Sequence, residues 1–280
     1  NTDSLIVVSR EDKYVGLLPV RTLLVSDPSA SVREMMKTER EPLDAMTSAD
    51  EVARRFERND WISAPVVDPQ GKLIGRITID DVVDVIREQA DHSLAVMAGL
   101  GDGDAFTPVL QTAPQRAVWL AVNLLTAILA ASVISLFQAT IEKVVALAVL
   151  MPIVASMGGI AGTQSLTVLI RAMAMGQIND RTEIWLVRRE ILVSALNGLI
   201  WAFVMALVTT YWFDDSTLGL IIAFAIIVNL LTAGIAGASL PLLLERLKID
   251  PALAGGVILT TVTDVVGFWA FLGLAAYFYG

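Results

Sequence analysis

The sequence predicts an α-helical membrane protein, with five transmembrane helices preceded by a smaller cytoplasmic α/β module. Three observations carry this expectation. The 280 residues are 55% hydrophobic with a mean hydropathy of +0.65, too apolar for a soluble chain of this size. The charges are uneven, with 12 Lys/Arg against 20 Asp/Glu over residues 1–112 and 8 against 9 over the remainder. Within the charged part a segment repeats at an offset of 59 residues, the mark of a duplicated structural unit.

The repeat aligns "IVVSREDKYVGLLPVRTLL" from Ile6 with "PVVDPQGKLIGRITIDDVV" from Pro65 without a gap, matching Val7 to Val66, Val8 to Val67, Lys13 to Lys72 and Gly16 to Gly75. Each copy reads as a strand, a polar turn, a second strand with alternating apolar residues and a helix start. Ahead of the second copy, "SADEVARRFERND" offers Ser48 as an N-cap with Glu51 three residues on and Val52 and Phe56 at helical spacing. The first copy lacks such a helix. Opening on Asn1 with no basic region before an apolar core, the sequence shows no signal peptide and is expected to begin inside a longer chain.

Composition narrows the chemistry. Cysteine is absent and His92 is the only histidine, so any metal must be held by oxygen. The acidic balance of the soluble part disfavours nucleic acid and anionic lipid surfaces as partners and suits cations.

Five apolar segments follow, at 117–137, 144–174, 191–213, 218–244 and 251–279, each long enough for a hydrocarbon layer of ~30 Å at ~1.5 Å per residue. Arg116, Arg181, Arg188, Arg189, Arg246 and Lys248 gather in the loops of one side, while the other side offers Lys143 beside Asp214 and Asp215. The positive-inside rule then puts the soluble part in the cytoplasm and the C-terminus outside.

Three features exceed what a lipid anchor needs. The second segment carries Pro152 and "SMGGIAGTQS", whose Gly158, Gly159 and Gly162 are expected to loosen the helix near Thr163, Gln164 and Ser165. Those residues either line a wet cavity or let helices approach closely through Gly158-x-x-x-Gly162. The fourth segment has Asn229 and the small-residue run "TAGIAGAS", which reads as close packing. In the fifth, Asp264 stands 13 residues into a 29-residue apolar run, near the bilayer midplane.

A carboxylate at that depth costs ~2.5–3.5 kcal/mol on insertion scales, which rules out a lipid-facing position. A neutral hydrogen-bonded Asp, an ion pair or a carboxylate facing water and cations remain. No Lys or Arg lies at comparable depth, since Arg171 falls toward the cytoplasmic end of its helix. One carboxylate per chain cannot dehydrate a divalent cation, but copies around a symmetry axis could hold a hydrated one. Mg²⁺ suits this because it gives up water reluctantly, and Thr260 and Thr261, one turn earlier, add oxygens.

The duplication, the preceding helix and "SAPVVDPQGKLIGRITIDDVV" resemble a pair of cystathionine-β-synthase (CBS) domains, modules that bind adenosine nucleotides or ions. In that family a Thr/Ser and an Asp three residues later often hold a ribose. Thr78 and Asp81 stand in that relation, which implies ATP or another adenosine nucleotide as a candidate ligand. The same pair also fits a helix N-cap with its first-turn carboxylate.

Taken with the membrane motifs "MPIVASMGGIAGTQSLTVLIRAMAMG" and "IDPALAGGVILTTVTDVVGF", the order of parts resembles the MgtE family of magnesium transporters. That resemblance implies a bacterial inner-membrane homodimer, no enzyme activity, and a Mg²⁺ pore between the second and fifth helices. It further implies Asp264 as one of a pair of selecting aspartates, Asp250 at the cytoplasmic mouth, and Gly158, Gly159, Thr163 and Gln164 along the pore. Domains are expected at 1–89 (the CBS pair, first repeat incomplete), 90–113 (a plug-like connecting helix and linker) and 114–280 (the pore). Asp80, Asp81, Asp84, Asp91, Asp102 and Asp104 are the regulatory metal candidates: crowded carboxylates repel unless a cation intervenes, so Mg²⁺ would favour a compact closed form. The sequence has Ile160 and Gly256 where many relatives have Asn, which leaves broader selectivity (Mn²⁺, Co²⁺) open, and a proton-coupled carrier also stays open.

Overall fold

The structure, a computed structural model, describes residues 4–97 and 107–280. It divides into two compact units at Leu94/Ala95.

In the first unit, β1 (Ser4–Val8) pairs antiparallel with β2 (Tyr14–Pro19), which leads into the short helices α1 (Val20–Val25) and α2 (Val32–Met35). The second repeat has β3 (Leu43–Asp44), α3 (Ala49–Asn59), β4 (Ser63–Val67), β5 (Leu73–Thr78) and α4 (Ile79–Met97), with β3 parallel and β5 antiparallel to β4. The duplication extends to backbone detail. The register slips after Val7 in one hairpin and after Val66 in the other, and the turns place Asp12 and Gly71, equivalent positions, in the left-handed region at φ 60° and 79°. The two turns also bond each other, through Tyr14 N–H to the Gly71 carbonyl (3.1 Å) and Leu73 N–H to that of Asp12 (2.8 Å).

α3 forms where the sequence placed it. The Ser48 side chain accepts from Glu51 N–H, and Val52 and Phe56 are buried with Leu43, Ala64 and Val82 in one small core. α4 runs unbroken through 79–97, past the expected boundary at 89/90.

The second unit contains five helices long and apolar enough to cross a membrane: α5 (Val109–Ser135), α7 (Ala146–Ala174), α8 (Asp180–Phe213), α9 (Ser216–Arg246) and α10 (Pro251–Tyr279), with a short α6 (Gln138–Lys143) after α5. α9 is the hub, packing on α7, α8 and α10, and its buried residues alternate large with small, from Ile221, Ile222 and Ala225 to Ala233, Gly234 and Gly237. Against expectation, Gly158, Gly159 and Gly162 do not loosen α7, which stays α-helical from 146 to 174. The physical reason is contact. Side chains from neighbouring helices fill the space above two of them: Asn229 lies against Gly158, and Leu259 sits 2.9 Å from where a Cβ on Gly162 would be. The backbone therefore keeps its own hydrogen bonds.

Candidate functional site

α10 presents two faces of different character. On one, Leu259, Thr263, Gly267 and Phe271 are buried against the rest of the unit. On the other, Gly256, Thr260 and Asp264 recur every four residues and form one stripe along the helix. An added Cβ at Gly256 would meet nothing within 4 Å, so the stripe is open at Gly256, while Thr260 and Asp264 are half-buried.

Asp264 is half-buried. Among the described residues it has no hydrogen-bond or ion-pair partner, although 13 of the 29 helix positions precede it. Thr260 and Thr261 donate their hydroxyls to their own helix, Thr260 to the Gly256 and Val257 carbonyls (3.1 Å each) and Thr261 to that of Val257 (2.7 Å). Their donors are thus occupied, which leaves each oxygen available only as an acceptor or ligand.

Across from the stripe, Gly159 of α7 is the near neighbour: a Cβ there would stand 4.0 Å from Thr260 Cγ2. Thr163, one turn further, is exposed and donates to the Gly159 carbonyl (2.8 Å). Gly158 faces the opposite way, into the α7–α9–α10 junction, and Gln164 lines a separate cleft between α7 and α8. The structure thus sets Gly159 beside Thr260 of the helix that carries Gly256, Thr261 and Asp264, with Thr163 one turn along α7, and turns Gly158 and Gln164 elsewhere.

Asp250 caps α10, its Oδ1 accepting from Ala252 N–H at 2.8 Å. Fourteen residues of helix separate it from Asp264, about 21 Å of rise, so the two carboxylates belong to different levels.

In the first unit, Asp81 and Thr78 are engaged with each other. One carboxylate oxygen of Asp81 accepts from both the Thr78 backbone N–H and its hydroxyl, each at 2.8 Å, the N3-to-N-cap half of a capping box. These bonds hold the Asp81 carboxyl below the ordinary range. Asp80, Asp84 and Asp91 are exposed along α4, and among the described residues no three acidic or histidine side chains converge as metal ligands. Asp102 and Asp104 lie outside the described residues.

Glu190 is the polar residue the sequence pattern did not single out, because it directly precedes the apolar run and reads as one of the loop charges. In fact α8 begins at Asp180. Glu190 is 4% exposed, accepting from the Ser165 hydroxyl (2.9 Å) and Arg189 Nη1 (2.8 Å).

With this geometry in view, residues 151–274 match the model of the family MgtE, described as a divalent cation transporter. The match takes in most of α7, all of α8 and α9, and the Asp264 stripe. The chain is 34% identical over 275 residues to the magnesium transporter MgtE of Bacillus subtilis (strain 168), covering 98% of this chain and 61% of that one. Residues 151–274 belong to the MgtE family. Another MgtE relative, the magnesium transporter of Thermus thermophilus, is 33% identical over 275 residues, 96% of this chain and 60% of that one. The chain thus spans about three fifths of the curated MgtE relatives it matches. Residues 32–88 match the CBS domain model. Among solved structures, the cytosolic domain of the Mg²⁺ channel MgtE in complex with ATP is 36% identical over 30% of this chain and 34% of that one, with a TM-score of 0.30. Five membrane-length apolar helices and MgtE membership together make this a multi-pass membrane protein with a CBS module.

Proposed function

We propose that this chain forms a Mg²⁺-conducting channel of the plasma membrane. Two copies pair so that their α10 stripes face one another, and the two Asp264 carboxylates select a hydrated Mg²⁺ through its water shell. One observation carries this: a half-buried carboxylate without a partner among the described residues, at mid-helix, on an open stripe with Thr260 and Gly256. A structural Asp in an apolar span satisfies its oxygens within the protein. This one leaves them free, and two such groups across an axis give hard oxygen ligands suited to a hydrated cation. The magnesium transporters among the relatives support the choice of ion.

Asp250 serves as the collecting carboxylate at the cytoplasmic mouth, Gly159 and Thr163 line the path from α7, and the C-terminus lies outside. The CBS module and the segment after it, 90–113, sense cytoplasmic Mg²⁺ through Asp80, Asp84, Asp91, Asp102 and Asp104, and bound metal favours the closed form. Thr78 and Asp81 already cap α4 between themselves, so an adenosine nucleotide would have to compete with that pairing.

Uptake of Mg²⁺ into proteoliposomes tests the pore. Asp264→Asn is expected to fold and to conduct no Mg²⁺; full uptake by that variant would refute the assignment. Loss of wild-type uptake on collapsing a pH gradient at constant membrane potential would instead make Asp264 a proton relay. Protection of residues 91–104 from protease is expected to rise with Mg²⁺, and unchanged cleavage would remove the sensor.

A further inference from the structure

α7 and α8 diverge over one side of α9, and between them lies a cavity of about 410 Å³, in the size range of small-ligand sites. It is distinct from the α10 stripe and has two chemically different ends. Ser165, Arg189 and Glu190 form one, near the start of α8 and the second half of α7; Met157, Trp201 and Leu230 form the other.

The polar end is constructed rather than incidental. Glu190 is 4% exposed, and a carboxylate so enclosed is costly unless paired and hydrogen-bonded. Ser165 and Arg189 do both, at 2.9 and 2.8 Å. The pairing leaves this end neutral overall, so a bare cation gains nothing there and recognition falls to hydrogen-bond donors. What remains on offer is Arg189. Its side chain is 49% exposed, and the contact with Glu190 engages Nη1 alone, whereas a guanidinium has five donors in a fork that suits phosphate.

The walls decide which phosphate. α7 and α8 are both long and apolar enough to cross a bilayer, and Ile160 and Val193 of the lining are 59% and 42% exposed, a surface that suits acyl chains better than water. Along α8 the lining runs from Arg189 and Glu190 through Ser194 and Asn197 to Trp201, the order of headgroup, glycerol and acyl chain in a lipid lying along the helices.

We propose that this cleft binds one glycerophospholipid, with its phosphate on Arg189 and an acyl chain against Met157, Trp201 and Leu230. Glu190 acts as a positioning residue that fixes the guanidinium. The cleft uses neither Asp264, Thr260 nor Gly159, although it takes in Ile160 and Gln164, which the family resemblance associated with the ion path.

Native mass spectrometry of the full chain, delipidated in detergent and titrated with palmitoyl-oleoyl phosphatidylglycerol, phosphatidylethanolamine or dioleoylglycerol, tests it. One retained adduct per chain is expected with the phosphate lipids and none with dioleoylglycerol. Retention of both phospholipids assigns the shared phosphate; retention of phosphatidylglycerol alone adds net negative charge to what is recognised. Arg189→Ala is expected to weaken the adduct roughly tenfold or more, the scale of a lost charge-assisted contact, with Arg189→Lys in between. Should Arg189→Ala not fold, Ala161→Phe, which obstructs the cleft without touching the charges, is expected to expel the lipid. Equal retention of dioleoylglycerol, or wild-type retention by the folded variants, overturns the proposal. So does an Ala161→Phe variant that loses dimer mass while keeping its lipid, because the cleft would then be covered by a second copy.

Discussion

Asn229 and Asp264 are both polar residues set in apolar helices, and the fold treats them oppositely. Asn229 is fully buried, donates to the Val154 carbonyl of α7 at 2.7 Å, and sits between two glycines, Gly158 and Gly267, that leave room for it. Asp264, one turn before Gly267 on α10, is half-buried on the stripe that is open at Gly256 and has no partner among the described residues. Asn229 joins three helices through its amide nitrogen and its packing against both glycines, while its enclosed Oδ1 has no partner among the described residues. Polarity at membrane depth is therefore not by itself a functional mark; enclosure by neighbouring helices and at least one bond to them separate Asn229 from Asp264.

Substitutions probe that contrast, beginning with the largest effect. Asp264→Asn should abolish Mg²⁺ uptake without loss of thermal stability, because the midplane carboxylate it removes costs ~2.5–3.5 kcal/mol in an apolar helix; a large drop in melting temperature would mean that Asp264 holds the fold together as Asn229 does. Gly267→Ala should act in reverse. Its new Cβ would stand 2.7 Å from Asn229 Nδ2, and the enclosed amide has nowhere to retreat, so overpacking costs about 1–3 kcal/mol. A melting temperature in detergent equal to the wild type would show that the junction is looser than its contacts suggest.

A smaller effect is expected at the far end of α10. Tyr279 donates to the Asp215 carboxylate at 2.5 Å, and that bond holds the Asp215 carboxyl below its ordinary value. A lowered carboxylate pKa stabilises the fold above the ordinary carboxylate range, and the contribution is lost as pH falls through the lowered value. Tyr279→Phe should therefore cost about 1 kcal/mol at neutral pH and converge with the wild type in acid, measured as melting temperature against pH. The smallest change is Gly256→Ala, on the same helix but on the open stripe. It meets nothing and should stabilise by about 0.5–1 kcal/mol through helix propensity alone. Its sign, opposite to that of Gly267→Ala, is the direct test that α10 has one packed and one open face.

Much of this organisation is legible along the chain. The 59-residue repeat reappears as two hairpins with the same slip and the same left-handed turn position, because a duplicated sequence imposes the same local constraints twice. The long apolar runs become membrane-length helices, and Ser48 caps α3. The glycines of α7 were harder to read. A glycine lowers helix propensity wherever it stands, and only the neighbour above it tells packing from irregularity. Glu190 was illegible for a related reason: a charge at the edge of an apolar run reads as loop until Ser165 is seen opposite, 25 residues away.

The periodic and compositional facts were written in the chain alone: a duplicated α/β module, five apolar spans, an oxygen-only inventory for metals and a lone acid at the centre of the last span. These depend on hydrophobicity, turn chemistry and residue type, which act over a few neighbours. Which side of each helix is enclosed was settled in three dimensions. Packing turned Gly158 and Gly267 toward Asn229, left Gly256 open and Asp264 half-buried without a partner among the described residues, and buried Glu190 between Ser165 and Arg189. The hydrophobic pattern of a membrane span is nearly uniform around its axis, so it carries no record of which face meets protein, and that choice falls to the packing of helices distant in sequence.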